Sequence, residues 1–153
     1  MSDYLLEVKN LKTWFHTFRG VVKAVDGVSF GLNKGEVLGI VGESGCGKSI
    51  TGFSVLRLID SPGRIESGSI TFAGQDLLAL TDEAMHTIRG NKISMIFQDP
   101  MTSLNPLYTI GQQIEESLKI HQIDLTAKER RARSIELLQL VGIPAPEERV
   151  DSY

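Results

Sequence analysis

Hydrophobic and polar positions predict two kinds of strand in the first part of the chain. Between residues 5 and 11, and again from 22 to 32, apolar and polar side chains alternate, which is the period of a strand with one buried face. Residues 37–41 form an uninterrupted apolar run, which is typical of a strand buried on both faces of a parallel sheet. The pattern therefore predicts an α/β protein in which an antiparallel β element precedes a parallel core.

Further short elements follow the apolar run. A strand is predicted over 67–72, a short helix near 85–89, and a second apolar strand over 93–97. The segment 14–20 is unusually aromatic, and we interpret it as the connection between the first two strands.

Beyond residue 100 the pattern becomes helical. Apolar residues recur every four positions from 110 to 118, which predicts a helix that ends near His121. Thr126 and Glu129 have the spacing of a capping box, so a second helix is predicted to begin there and to end before Gly142. Its basic face is explained either by solvation or by contact with a partner. The basic residues are Lys128, Arg130, Arg131 and Arg133.

The strongest motif lies between the 37–41 run and a helix predicted over 50–58. Residues 42–49 read Gly-Glu-Ser-Gly-Cys-Gly-Lys-Ser and fit the phosphate-loop pattern G-x-x-x-x-G-K-[ST] without a mismatch. Glycines let the backbone approach phosphate oxygens, Lys48 adds a positive charge, and the Ser49 hydroxyl can bind Mg²⁺. The helix N-terminus adds unpaired amides and a positive dipole end. The residues predicted to bind the nucleotide here are Gly42, Glu43, Ser44, Gly45, Cys46, Gly47, Lys48, Ser49 and Ile50.

The alternative interpretation is a glycine-rich turn that ends in Lys-Ser by chance. Strand, loop and helix occur together in the order that the motif requires, which favours nucleotide binding. The aromatic side chains of 14–20 either stack on the adenine of that nucleotide or cap the sheet.

Composition narrows the class of protein. The 153 residues are 41% hydrophobic and 23% charged, the balance of one ordinary soluble domain. A net charge of −3 offers no general attraction for a polyanion, so we expect no nucleic-acid partner. One cysteine cannot form an intramolecular disulfide, and the sequence has no signal peptide and no apolar run of about 20 residues. We therefore expect a cytoplasmic protein.

The order of these features resembles the nucleotide-binding domain of ABC transporters. Residues 42–49 match its Walker A motif, Gln98 matches the glutamine of its Q-loop, and Phe15 matches the aromatic residue of its A-loop. Cys46 departs from the serine that is common in the family at that position. Because a phosphate would contact the backbone amide of residue 46, we expect binding to survive this departure.

Two further segments resemble the ATP-binding subunits of importers for dipeptides, oligopeptides or nickel. They are 97–106, which reads Phe-Gln-Asp-Pro-Met-Thr-Ser-Leu-Asn-Pro, and 61–65, which reads Ser-Pro-Gly-Arg-Ile. The resemblance implies a P-loop NTPase that binds and hydrolyses ATP to power the import of peptides or related small solutes. The partners it implies are transmembrane permease subunits, a second ABC nucleotide-binding subunit and, indirectly, an extracytoplasmic solute-binding protein. Its implied place is the cytoplasmic face of the membrane, as a peripheral subunit.

The resemblance also implies a role for each matched residue. Ser49 and Gln98 would ligate Mg²⁺, and Gln98 would also help to position the attacking water. Phe15 would stack on adenine, and residues 101–106 would lie near the contact with the membrane subunit.

We expect residues 1–153 to be one partial ABC nucleotide-binding domain. The antiparallel element and the Walker A core are assigned to 1–100, and the Q-loop and the start of a helical subdomain to 101–153. The family's signature motif, Walker B carboxylates and switch histidine are not found in this sequence. Since phosphoryl transfer depends on such positioning groups, we expect negligible hydrolysis by this segment alone.

Two other functions stay open from the residues. One is a soluble ABC-type ATPase that acts on DNA or ribosomes, and the acidic balance of the chain argues against it. The other is a small P-loop kinase, and the antiparallel element before the phosphate loop argues against that.

Overall fold

The computed structural model describes residues 4–99, 103–122 and 124–153. Its backbone clusters into two units, Met1–His86 and Thr87–Tyr153. The first unit carries the sheet and the glycine-rich loop, and the second is predominantly helical. The predicted boundary at residue 100, between the Walker A core and the helical subdomain, stays a prediction.

One four-stranded antiparallel sheet forms the frame of the first unit. Its strands are β1 (Leu6–Thr17), β2 (Gly20–Leu32), β3 (Gly63–Phe72) and β4 (Gln75–Asp76). In space they follow the order β2-β1-β3-β4, so β1 pairs along most of its length with a neighbour on each side. The predicted antiparallel element before the phosphate loop is therefore confirmed.

The aromatic segment at 14–20 is not a connection, and that interpretation is wrong. β1 continues to Thr17, and the turn into β2 consists of Phe18 and Arg19 alone. Trp14 and Phe15 each have a partner in β2 and another in β3. Pairing on both sides keeps this aromatic stretch extended, a conformation that aromatic residues favour.

Helix α1 (Lys48–Val55) is fixed to the sheet by a buried polar contact. The hydroxyls of Thr13 and Ser54 lie 2.7 Å apart and both residues are fully buried. Since the Ser54 hydroxyl donates to the carbonyl of Ile50 at 2.7 Å, Thr13 must be the donor in the pair. This hydrogen bond satisfies two hydroxyls that would otherwise be costly to bury.

The bounds of α1 differ from the predicted 50–58. The helix begins at Lys48, inside the motif, and its last helical residue is Val55. Arg57 has a φ of 53°, in the left-handed region, which stops the helix before Leu58. The core of the first unit consists of buried apolar residues. They are Val8, Leu11, Val25, Val55, Leu56, Ile70, Leu77 and Met85.

The two uninterrupted apolar runs do not form strands within the described residues, so those two predictions are wrong for this structure. Residues 36–43 have no strand assignment, and Val37 and Val41 are 94% and 92% exposed. In the second run only Ile93 makes an isolated bridge, with Arg89, and Ile96 is 92% exposed. A strand is defined by hydrogen bonds to a neighbour, and none of the described strands pairs with either run.

The second unit is built around a helical hairpin of α3 (Ile110–His121) and α4 (Ala127–Leu140). A short α2 (Asp82–Ile88) precedes it, ending just inside this unit, and α5 (Pro146–Arg149) follows it. Thr109 and Thr126 each close a complete capping box at the start of α3 and α4. The helices predicted at 110–121 and from Thr126 are therefore confirmed.

Contacts near residue 150 close the hairpin. Arg131 of α4 donates two hydrogen bonds to the Asp151 carboxylate, at 2.9 and 2.7 Å. The amide of Gly111 donates to the carbonyl of the fully buried Val150 at 2.7 Å, and a Cβ atom at 111 would lie 2.6 Å from Val150 Cγ2. Arg131, Arg133 and Arg130 of the basic face all have partners within the unit.

Candidate phosphate loop and aromatic platform

The glycine-rich loop is shaped by a bulge in β2. Thr13 pairs with Val25 and the next residue of β1 pairs with Lys23, so Ala24 is an extra, unpaired residue. Its carbonyl oxygen lies 2.2 Å from the position that a Cβ atom would occupy at Gly47. Gly47 also has a φ of 95°, so this position requires glycine for two independent reasons.

The end of the loop presents backbone donors at the start of α1. Gly47 is the N-cap of the helix and provides no side-chain cap. Within the described part of the chain, the amides of Gly45, Gly47, Lys48 and Ser49 donate no hydrogen bond. Unpaired amides at a helix N-terminus form an anion-binding position, because the helix dipole adds to them.

Lys48 folds back over the loop. Its ammonium nitrogen Nζ lies 2.7 Å from the carbonyl oxygens of both Gly42 and Glu43. The positive charge is thus held at the first two residues of the loop whose later residues carry the unpaired amides. The exposed Ser49 hydroxyl has no hydrogen-bond partner among the described residues, so its oxygen is available as a ligand.

Cys46 occupies the inside of the loop. Its Sγ atom lies 2.6 Å from the position of a Cβ at Gly42 and 3.6 Å from Lys48 Nζ. Any side chain at Gly42 would therefore displace the thiol. Although it fills this space, Cys46 as a residue is exposed to solvent.

A pocket of about 410 Å³ borders the loop. It is lined by residues 28–30 of β2, by residues 38–41, and by Cys46, Gly47, Lys48 and Thr51. Phe15 does not line this pocket.

Phe15 lies on a different part of the same sheet. It is half-buried, and it pairs with Val22 in β2 and with Gly63 in β3. Val22 is two residues from Ala24, whose carbonyl lies against the loop, and two residues along a strand span about 7 Å. We call Phe15 and its strand partners Val22 and Gly63 the platform. The bulge thus connects the platform to the glycine-rich loop.

The neighbouring Trp14 has its ring covered by cations. Lys23 Nζ lies 4.5 Å and Lys12 Nζ 5.9 Å from the ring centroid, and both ammonium groups lie 3.7 Å from the Asp26 carboxylate. Its buried Nε1 atom has no partner among the described residues. A ring that is already stacked with lysine has less free face for a base, which favours Phe15 over Trp14 as the stacking residue.

A charged cluster beside the platform was missed by the sequence reasoning. Arg64 Nε lies 2.6 Å from Glu66 Oε1, and His16 Nε2 makes a very short contact with the same oxygen. The hydrogen bond from Arg64, followed by the one from His16, lowers the pKa of the Glu66 carboxyl below its ordinary value of 4.5. No sequence signal marks the cluster, because it depends on pairing between residues that lie 48 to 50 positions apart.

Gln98 belongs to the second unit and is exposed. Of residues 101–106, which are predicted to lie near the contact with the membrane subunit, 101 and 102 lie outside the described part of the chain. The remainder is braced by Gln113, which accepts from the amide of Asn105 at 2.9 Å and donates to the carbonyls of Asn105 and Tyr108 at 3.0 and 2.9 Å. This bracing holds Leu104 and Leu107 at the surface, 54% and 81% exposed.

Two structural features bear on a metal or a membrane role. Over the described residues, no group of three His, Cys, Asp or Glu side chains could hold a metal ion. No helix in that part of the chain is long and apolar enough to cross a membrane.

Comparison with solved structures shows the fold. A dimeric, post-hydrolysis structure of the ATP-binding cassette MJ0796 bound to ADP and Pi matches with a TM-score of 0.81 at 24% identity. The match covers 96% of this chain and 60% of that one. A second dimeric structure of MJ0796, described as a bacterial ABC transporter cassette, matches with the same score and coverage.

Comparison with known sequences identifies the family. The dipeptide transport ATP-binding protein DppD of Haemophilus influenzae is 52% identical over 149 residues, which cover 97% of this chain and 45% of that protein. The oligopeptide transport ATP-binding protein OppD of Bacillus subtilis is 50% identical over 150 residues, covering 97% and 42%. The chain thus spans less than half the length of these relatives. The ABC transporter family model matches residues 25–153, and the chain belongs to the ABC transporter family.

Proposed function

We propose that the whole protein is the ATP-binding and ATP-hydrolysing subunit that powers import of peptides or related small solutes through a membrane ABC transporter. The observation that carries the proposal is the set of unpaired amides of Gly45, Gly47, Lys48 and Ser49 at the start of α1, in the same loop whose carbonyls at 42 and 43 hold the Lys48 ammonium. The names of the DppD and OppD relatives support peptides as the solute class.

In this proposal each part of the site has one role. The loop amides and Lys48 bind the phosphates of ATP, and Phe15 stacks on its adenine. The Ser49 hydroxyl fits a Mg²⁺ ligand because it is exposed and has no partner among the described residues. Mg²⁺ supplies charge neutralisation for the phosphates when it is bound, and Gln98 is the second proposed ligand and the residue that positions water.

The proposed partners follow from the family and from the surface of the second unit. The MJ0796 neighbours are dimeric, which supports pairing with a second nucleotide-binding subunit. The exposed Leu104 and Leu107, braced by Gln113, support a contact with a permease subunit near residues 101–106. A solute-binding protein outside the membrane takes part indirectly, no nucleic acid is involved, and the subunit lies at the cytoplasmic face of the membrane.

The test uses the full-length protein reconstituted with its permease subunits in vesicles. We expect uptake of a radiolabelled dipeptide or oligopeptide mixture that depends on ATP and releases inorganic phosphate. Lys48→Ala should abolish both uptake and phosphate release, because it removes the charge proposed to bind the phosphates. Phosphate release that is stimulated by DNA or ribosomes but not by the permeases, or transfer of phosphate to an acceptor molecule, would contradict the proposal.

A further inference from the structure

Phe15 and Gly63 form a cross-strand pair in which the ring occupies the space of a side chain. The two residues lie directly opposite each other in β1 and β3. A Cβ atom at position 63 would lie 2.6 Å from Phe15 Cε1 and 2.8 Å from Phe15 Cδ1. Gly63 is not among the glycines with a positive φ. The backbone at 63 is therefore compatible with any residue, and a side chain is excluded by side-chain atoms, with the Phe15 ring the nearest and Ile59 next to it.

The residues around this pair are held by backbone contacts. The amide of Gly63 donates to the carbonyl of Asp60 at 2.8 Å, and the amide of His16 donates to the carbonyl of Pro62 at 2.9 Å. Ile59 Cγ2 lies 2.8 Å from the same Cβ position at 63. Because turn and strand are both fixed, the ring rests on a defined surface, with Gly63 beneath one edge and Ile59 beside it.

We infer that Gly63 is a positioning residue, whose missing side chain sets the orientation in which Phe15 meets the adenine of ATP. The inference rests on the proposed function, in which Phe15 is the stacking residue. Aromatic stacking depends strongly on the offset and angle of the two rings. A methyl group at 63 displaces one edge of the Phe15 ring and therefore changes the face that it offers to a base.

This displacement does not require the fold to fail. Phe15 is half-buried, and the atoms that clash belong to the side chains of Phe15 and Ile59 and not to the backbone. Position 63 lies in β3 with an ordinary backbone conformation, where alanine costs little and valine suits a strand. Ile59 borders a pocket of about 360 Å³, so its side chain has room to move away from a methyl group at 63. Gly63→Val adds a larger side chain than Gly63→Ala, and the two variants together test increasing displacement of the ring.

The experiment measures binding of ATP and of inorganic tripolyphosphate to the full-length protein. Phe15→Ala should weaken ATP binding by about tenfold, since base stacking on an aromatic contributes this order of affinity. Gly63→Ala should weaken it by roughly threefold and Gly63→Val by roughly tenfold. Tripolyphosphate has no base, so its affinity should not change in any of these variants. Ser67→Ala, at an exposed position of the same strand, is the matched control.

A double variant separates positioning from general damage. If Gly63 acts through the ring, Gly63→Val should have no further effect on ATP affinity in the Phe15→Ala background. Wild-type ATP affinity in both Gly63 variants, together with a weakened Phe15→Ala, would overturn the inference and leave the proposed function intact. Equal weakening of ATP and tripolyphosphate would overturn it as well. An unchanged Phe15→Ala would remove the proposed role of Phe15 and the inference with it.

Discussion

The two parts of the proposed nucleotide site differ in how their shapes are determined. The phosphate loop is determined mainly by residues within its own eight positions, with Lys48 bound to carbonyls five and six residues before it. The platform is determined by pairs far apart in the chain, such as Phe15 with Gly63. Among the described residues, the loop lies closest to a distant part of the chain at the bulge of β2, where Gly47 faces the Ala24 carbonyl. The loop is therefore a local motif anchored at one point, and the platform is a product of the whole sheet.

The largest expected loss of stability comes from substituting Gly47, where the loop lies against the Ala24 carbonyl. Gly47→Ala places a Cβ atom 2.2 Å from the Ala24 carbonyl oxygen and forces a non-glycine residue to a φ of 95°. We expect a loss of unfolding free energy of about 3 kcal/mol or more, since a backbone clash is added to left-handed strain. Urea denaturation of the full-length protein measures it.

Gly45→Ala is the matched control for the anchor. Gly45 has a φ of 82° but nothing lies within 4 Å of its Cβ position, so the variant carries the strain without the clash. We expect a loss of about 1–2 kcal/mol. Equal losses in the two variants would mean that the Ala24 contact does not anchor the loop.

A smaller effect is expected from chemical modification inside the loop. Cys46 is exposed, with its thiol 3.6 Å from Lys48 Nζ, where bound phosphates would cover it. Saturating ATP should slow alkylation of Cys46 by at least about tenfold, because a covered thiol reacts only in the fraction without nucleotide. The rate of labelling followed by mass spectrometry checks this, and equal rates with and without ATP would contradict the proposed position of the phosphates.

The smallest expected effect on stability concerns the charged cluster of His16, Arg64 and Glu66 beside the platform. Arg64 and His16 lower the folded-state pKa of Glu66, so this carboxylate stabilises the fold above its ordinary pKa of 4.5. The stabilisation is lost as the pH falls below 4.5 and the carboxylate takes up a proton. The difference in unfolding free energy between wild type and Glu66→Gln should therefore shrink between pH 6 and pH 3. A difference that stays constant with pH would show that ionised Glu66 does not stabilise the sheet.

The same contrast between local and long-range determination explains what the sequence could predict. The capping boxes at Thr109 and Thr126 depend on neighbours three residues away, so the starts of α3 and α4 follow from local sequence. The extension of β1 through Trp14 and Phe15 depends on bulges and on partners nearly 50 residues away. No local pattern encodes that register.

The two apolar runs show that a strong hydrophobic pattern does not by itself predict a strand. Residues 37–41 have a stronger hydrophobic signal than β1, yet Val37 and Val41 are exposed while Val8 and Leu11 are buried. A run of apolar residues predicts that a segment is buried, but the segment is a strand only where its backbone forms hydrogen bonds with a neighbouring strand. Among the described residues no strand pairs with either run, and their exposed side chains reflect this.

Calorimetric titration of the full-length protein with Mg-ATP tests most directly whether the phosphate loop is the ATP site. If the phosphate loop is the ATP site, Mg-ATP should bind to the wild type. Lys48→Ala should lower the affinity for ATP by at least about tenfold, since a hydrogen bond to a charged group contributes this much. Lys34→Ala, at an exposed turn lysine, should bind as wild type does. Undiminished ATP affinity in Lys48→Ala would contradict the assignment of the phosphate loop as the ATP site.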